Sequence, residues 1–298
     1  MKRRKFFLMV GGAGMAFATQ VQSATQVPAG KTQQAEFARA MQAIERQAGG
    51  RLGVAVLNTG TGAAWGWRHN ERFPMCSTFK MLLAGQVLAE VDAGREQLES
   101  EVQFDRSALV ENSPVTEQHA EKSAMTVAQL CDAIVTRSDN AAANLLLARL
   151  GGPPAFTHYM RSLGDASTRL DRIEPAMSES RPGDLRDTTT PLSMLTSMQT
   201  LTLGKALTPR NRKQLVDWML ACKTGDNCLR AGAKGWVVAD KTGAGPGTRN
   251  DVGLLWPPGG GAPILVTCYL TETSAAAPAR DAAIAGVAAQ LVKQMGPA

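Results

Sequence analysis

The strand-like runs of this chain lie at its two ends, and a long helical region separates them. Leu52 to Asn58 and Ala63 to His69 read as a strand pair joined by the turn Thr59-Gly60-Thr61-Gly62. Gly235 to Ala244, Asp251 to Trp256 and Ala262 to Leu270 form a second, distant group of strand-like runs. Between them, residues from about 77 to 222 read as helix and loop. Strands at both ends flanking a helical insert imply one sheet built from both ends of the chain. The expected class is mixed α/β (α+β): an antiparallel five-stranded sheet flanked by helices at Gln33 to Gln47 and about Ala275 to Met295, plus an inserted all-helical lobe. The α/β lobe would take residues of about 25–76 and 223–298, the helical lobe about 77–222, within a single domain over 25–298. A ligand cleft is expected between the lobes, where clefts favour binding. With 298 residues, 44% of them hydrophobic, the chain has ample material for such a core.

Three short motifs sit at the joins of this pattern. Ser77-Thr78-Phe79-Lys80 opens an apolar helical run, Met81 to Val91, and i and i+3 share a helix face, so the Lys80 amine can reach the Ser77 hydroxyl. A serine at its free pKa is a poor nucleophile and needs an adjacent base. Lysine serves as that base only where burial or nearby positive charge keeps it partly neutral. Such a pair is common by chance and, alone, reads equally as a solvated serine and lysine at a helix end. Ser138-Asp139-Asn140 follows the apolar segment Val127 to Val135, and Lys241-Thr242-Gly243 ends the strand-like run from Trp236. The three motifs in this order form one signature set, of class A β-lactamases and penicillin-binding proteins.

A fourth element lies between the second and third motifs. From Arg172-Ile173-Glu174-Pro175 to Asp187-Thr188-Thr189-Thr190-Pro191 the chain is rich in Pro, Gly, Asp and Ser and reads as a loop. Loops of this length are uncommon and usually functional. Glu174 is a candidate general base for a water molecule. Arg172 and Asp187 stand at the two ends, placed to pair and close the loop. Without the other motifs, an ordinary solvated loop would be the better reading.

On these four elements the chain resembles a class A serine β-lactamase over residues of about 33 to 295. The resemblance implies the β-lactamase/penicillin-recognising fold and a role for each matched residue. Ser77 resembles the acylated nucleophile, and Lys80 and Glu174 the groups that manage its proton. Ser138 resembles the hydroxyl that relays a proton to the β-lactam nitrogen. Asn140 would hold the substrate's side-chain amide; Lys241 and Thr242, with Gly243 completing the motif, would bind its carboxylate. The backbone N–H groups of Ser77 and Ala244 would form the oxyanion hole. Asn144, four residues after Asn140, resembles the residue that braces the glutamate. The implied substrates are small-molecule β-lactams, penicillins and cephalosporins, with no cofactor and no metal.

The sequence departs from the family pattern in three places. Where the family usually reads E-L-N after the Glu-Pro pair, with the asparagine helping to hold the hydrolytic water, this chain reads Ala176-Met177-Ser178. Asn112 stands where an aromatic often borders the site. The segment Ala244-Gly245-Pro246-Gly247-Thr248-Arg249 is a residue shorter than usual, and its proline is expected to stiffen the strand edge and remove a donor. Arg249 resembles the arginine that supports carboxylate binding.

Residues 1–24 have the layout of a signal peptide: Lys2-Arg3-Arg4-Lys5, an apolar stretch from Phe6 to Phe17, and small residues near Ser23-Ala24. Arg3-Arg4-Lys5-Phe6-Phe7 also resembles a twin-arginine signal, the alternative being a Sec signal with a basic head. Export to the periplasm follows, with no stable membrane anchor. Removing this segment takes away four cations and no carboxylate, so the net charge falls from +6 to +2, and no nucleic-acid partner is implied. A monomer is expected. Of five cysteines, Cys131 and Cys268 read as buried, while Cys222 and Cys228 bracket a short polar loop, either as a local disulfide or as independent thiols. His69, His119 and His158 are scattered without metal-ligand spacing. Two other functions share the first three motifs: a penicillin-binding D,D-peptidase and a β-lactam sensor module. Glu174 argues against the first, and the lack of a span after the signal against the second.

Overall fold

In a computed structural model of the chain, the described residues are 31–120 and 124–295, so the expected signal peptide lies outside them. Five strands form one antiparallel sheet in the order Ala64–Trp67, Arg51–Asn58, Ile264–Thr271, Thr248–Trp256, Val237–Gly245. The two ends of the chain therefore meet in the middle of the sheet, where Arg51–Asn58 pairs with Ile264–Thr271 along its whole length.

Alternation along the central strands decides what covers each face. Leu52, Val54, Val56, Val266, Cys268 and Leu270 point to one side, where they pack with Phe37, Met41, Ile284 and Val287 of the terminal helices Lys31–Ala48 and Ala277–Met295. Ala55, Leu265 and Tyr269 point the other way, into the core shared with the helices Phe79–Asp92, Val127–Thr136 and Pro191–Thr202. Both faces are buried, which is why these strands read as near-continuous apolar runs.

Each residue from Phe79 to Leu88 is buried, the polar Lys80 and Gln86 included. A helix with no solvent-facing side over this length belongs inside a domain, and here it forms the axis of the helical region, Phe79 packing edge-on to Phe156 at 5.9 Å. Two short pairings lie in or at the edge of the region that the sequence pattern assigns to helix and loop. Phe73–Pro74 pairs with Thr188–Thr189, and Glu101–Gln103 with Ala124–Thr126. Two- and three-residue strands carry too little period to register in a sequence pattern. The first of them ties the end of the Glu174 loop to the segment entering the Ser77 turn, with Met75 N donating to Asp187 O at 2.9 Å.

The segment Pro246-Gly247 is a correction to the sequence reading. It lies not on the strand edge but in the two-residue turn between Gly245 and Thr248, and Gly247 has φ +58°. Proline at the first turn position supplies its fixed φ, and glycine at the second accepts the positive one. The missing residue thus yields a tight hairpin rather than a stiffened edge.

Asp139 pins the segment Val115-Thr116 to the start of the Asn140–Arg149 helix. It caps the Asn140–Arg149 helix by accepting from Ala142 N at 2.9 Å, and also accepts from Val115 N at 2.8 Å, Thr116 N at 2.9 Å and Thr116 Oγ1. The side chain is fully buried, so its removal strands several donors away from water. Asp139→Ala is expected to lower stability by about 3–5 kcal/mol, combining a lost cap with unsatisfied buried donors. Urea unfolding checks this: the midpoint should fall with the slope unchanged.

Candidate active site

Ser77 is presented by a strained turn gripped from both sides. It lies in the single turn Cys76–Thr78 that leads into the long helix, where backbone N–H groups lack intrahelical partners. Cys76 just before it has φ +44°, a conformation a non-glycine residue holds only when its surroundings fix it. Buried Asn250, on the sheet, supplies that fixing: its Nδ2 donates to Pro74 O at 2.9 Å and Met75 O at 3.0 Å. Thr78 is turned away from the cleft, its hydroxyl donating to Met75 O at 2.8 Å.

In the first turn of the helix, three residues after Ser77, Lys80 is completely buried. Its Nζ lies 3.0 Å from Ser77 Oγ, 2.8 Å from Ser138 O, 2.5 Å from Asn140 Oδ1 and 3.1 Å from Glu174 Oε1. An ammonium has three N–H donors for these four acceptors. A neutral amine leaves room for Ser77 to donate to nitrogen. Burial pulls Lys80 below the usual lysine value, and the Glu174 carboxylate works against that pull.

Glu174 reaches the same point from its loop. Its Oε1 is 3.3 Å from Ser77 Oγ, and its Oε2 accepts from Ser178 Oγ at 3.1 Å. Asn144 holds its backbone at both ends, accepting from Glu174 N and donating to Glu174 O, each at 2.9 Å. The Glu174–Pro175 bond is cis. On the opposite wall, Lys241 Nζ donates to Ser138 Oγ at 3.0 Å and Thr242 O at 2.6 Å. Ser77, Ser138, Asn140, Glu174, Ser178, Thr242, Gly243, Ala244 and Arg249 line one cavity of about 570 Å³. Val237–Gly245 is the outer strand of the sheet, so one of its edges is free to meet a ligand there.

Every residue singled out from the motifs therefore converges on or braces one cleft. The structure adds groups that the sequence did not mark. Thr224 lines the cavity, its hydroxyl 2.5 Å from Thr242 Oγ1 and its carbonyl accepting from Arg249 Nη2 at 3.2 Å. Asp281 pairs with Arg249 Nε at 2.6 Å. Thr224 sits in a loop legible only for its flanking cysteines, and Asp281 in a helix far along the chain, so no local pattern could have flagged either. All five cysteines are free thiols: Cys222 faces Thr224 and Cys228 faces Arg249.

Residues 36–295 match the Beta-lactamase enzyme family. The β-lactamase L2 of Stenotrophomonas maltophilia is 44% identical over 282 residues, covering 91% of each chain. The β-lactamase CTX-M-97 of Escherichia coli is 44% identical over 250 residues, 83% of this chain and 85% of that one. Among solved structures, an ancestral class A β-lactamase superposes with TM-score 0.84 at 55% identity, covering 86% of this chain and 99% of its own. A β-lactamase from Xanthomonas campestris pv. campestris gives TM-score 0.86 at 47% identity, covering 89% and 99%.

The chain belongs to the class A serine β-lactamase family.

Within that class A framework the departures take on definite geometry. Ser178, at the place of the usual asparagine, bonds directly to the Glu174 carboxylate. Asn112 is not an aromatic wall but a backbone brace, with φ +60° and its Nδ2 donating to Ser138 O at 3.1 Å. The loop carrying Glu174 is closed by charge. Arg172 Nε lies 2.6 Å from Asp187 Oδ2, and Arg172 also reaches Glu179 at 2.8 Å. Asp187, itself buried, accepts on its other oxygen from Asp171 N at 2.7 Å and Arg172 N at 3.0 Å. Asp187 is buried but Arg172 only partly so, and Arg172 keeps Glu179 as a partner, so loss of the Asp187 charge should cost about 1–3 kcal/mol. Asp187→Asn should open this loop before the domain unfolds. Hydrogen exchange across 173–185 checks it: these amides should lose protection while those of the sheet keep theirs.

Proposed function

We propose that Ser77 opens the β-lactam amide of penicillins and cephalosporins and that Glu174 clears the resulting acyl-enzyme. The observation that carries this is the buried carboxylate of Glu174, 3.3 Å from Ser77 Oγ and 3.1 Å from Lys80 Nζ. A penicillin-binding peptidase or a sensor needs the nucleophile, its lysine and the carboxylate site, but no water-activating glutamate against the acylated oxygen.

Ser77 Oγ attacks the lactam carbonyl carbon and forms the new C–O bond. Lys80 and Glu174 both sit within reach of the proton it gives up. The developing oxyanion falls to the N–H groups of Ser77 and Ala244; one such preorganised donor is worth ~3 kcal/mol. The C–N bond breaks as Ser138 Oγ gives its proton to the leaving nitrogen and regains the proton that left Ser77, which leaves Glu174 as the carboxylate; Lys241, 3.0 Å away, holds that hydroxyl in place. Asn140, held by its Nδ2 bond to Glu111 O at 2.8 Å, receives the substrate's side-chain amide. Lys241, Thr242 and Arg249 receive the carboxylate, a charge-assisted pairing. In the second half Glu174 takes a proton from water, whose oxygen bonds the ester carbonyl carbon; the C–Oγ bond then breaks and the proton passes to Ser77 Oγ, 3.3 Å from Glu174. Destroying the lactam ring in this way confers resistance to the antibiotic, and the signal-like layout of residues 1–24 supports a periplasmic activity.

Ser77→Ala should abolish hydrolysis of a chromogenic cephalosporin without lowering the melting temperature. Glu174→Gln keeps the size but cannot accept a proton, so mass spectrometry should show a penicilloyl adduct accumulating on Ser77. Unhindered multiple turnover by the Gln variant would remove Glu174 from deacylation.

Lys241 adds a pH signature. Burial pulls it down to about 8, with Lys80 acting in the same direction. Below that pH it is a cation and attracts the substrate carboxylate; above it the attraction is lost. In the free enzyme kcat/KM should therefore fall about tenfold per pH unit well above 8. The bound carboxylate favours the cation, so the corresponding limb in kcat should lie higher. Lys241→Arg, which keeps its charge throughout, should erase the limb; an unmoved limb would show that it does not come from Lys241.

A further inference from the structure

Thr242 can hold a ligand carboxylate only if its hydroxyl hydrogen points into the cleft. That hydrogen has a second destination, because Thr224 Oγ1 lies 2.5 Å from Thr242 Oγ1. One of the two hydroxyls must donate to the other. If Thr242 donates to Thr224, it presents lone pairs to the incoming carboxylate. If Thr224 donates to Thr242, the Thr242 hydrogen is free for the ligand. The next group along decides between them: Cys222 Sγ lies 3.3 Å from Thr224 Oγ1, and the thiol is buried. Thr224 thus has a choice of acceptors, sulfur or the Thr242 oxygen, and sulfur is the weaker one.

We infer that Cys222 and Thr224 are positioning residues that orient the Thr242 hydroxyl, through a one-way chain of donors running Cys222 S–H to Thr224 Oγ1, Thr224 O–H to Thr242 Oγ1, and Thr242 O–H to the substrate carboxylate. The inference rests on the reading of Lys241 and Thr242 as the carboxylate site. Burial, with Asp240 nearby, raises the Cys222 thiol above its ordinary value, so it keeps the proton that the chain needs. A thiolate would instead accept from Thr224 and reverse the order. Thr224 also contributes its carbonyl to Arg249, so the same residue touches both supports of the carboxylate.

The test compares a penicillin with its methyl ester, which lacks the carboxylate charge. Thr224→Val keeps the shape and loses the hydroxyl. Its KM for the penicillin should rise roughly threefold, because Thr242 keeps its own hydrogen but loses the donor that orients and polarises its hydroxyl, with kcat within about twofold. Its acylation rate with the ester should match that of the unmodified enzyme. Thr224→Ser should restore the penicillin KM. Cys222→Ala should raise KM in the same direction by a smaller factor, and Cys222→Ser should not. An unchanged KM in Thr224→Val, or an equal loss on the ester, overturns the inference, as does failure of Ser to rescue. Should Thr224→Val not fold, the Cys222 pair decides alone: equal KM in its Ala and Ser variants overturns the chain. If the unmodified enzyme fails to turn over penicillin at all, the functional reading itself falls, an outcome distinct from each of these.

Discussion

The rest of this structure depends on a lysine buried where no lysine is stable alone. Lys80 sits in a helix whose neighbouring residues are all buried, and its side chain is wholly inaccessible. An unpaired ammonium there would carry a prohibitive desolvation cost. The helix can therefore pack only if its acceptors arrive with it: Ser77 from its own first turn, Ser138 and Asn140 from the next motif, and Glu174 from the loop. The Lys80 cluster is in this sense the polar core of the helical region. Assembly of the site and burial of the helix are one event.

That dependence passes outward by ordinary chemistry. Glu174 stays opposite Lys80 because Asn144 brackets its backbone and Arg172 and Asp187 close the loop. Asp187 in turn receives Met75 N through its carbonyl, so the loop end and the turn before Ser77 share a bond. On the other side, Asn250 holds the carbonyls of Pro74 and Met75 against the sheet. Ser77 and Glu174 are thus referred to one short stretch, Phe73 to Met75, although they lie far apart in sequence.

What was legible in the sequence follows from how each feature is encoded. The five strands and the terminal helices showed because their period and apolar runs are local. Ser77, Lys80, Ser138, Asn140, Lys241 and Glu174 showed because their chemistry fixes a spacing. Thr224 and Asp281 were silent because their roles exist only across folded contacts, a hydroxyl against Thr242 and a carboxylate against Arg249. The Pro246-Gly247 turn was misplaced for a related reason. Proline reads the same way on an edge and in a tight turn, and only the pairing of Gly245 with Thr248 separates them.

Backbone conformation shows what the scaffold contributes beyond these contacts. Among the described residues seven non-glycine positions have positive φ, and Cys76, Asn112, Ser138, Ser180 and Asp187 are five of them. Each belongs to the turn before the nucleophile, the two strands of chain flanking Lys80's acceptors, or the loop of Glu174. Such conformations cost on the order of 1–3 kcal/mol apiece and persist only where surroundings over-determine them. Here the surroundings are identifiable: Asn250 for the turn at Cys76, Asn112 and Asp139 for the turn at Ser138, and the Asp171–Arg172 amides for Asp187. A relaxed backbone at Cys76 or Ser138 would rotate the following or attached hydroxyl away from Lys80 and Lys241. The polar network therefore does two things at once: it satisfies a buried cation, and it holds the chain in the uncommon conformations that aim the two serine hydroxyls at one point.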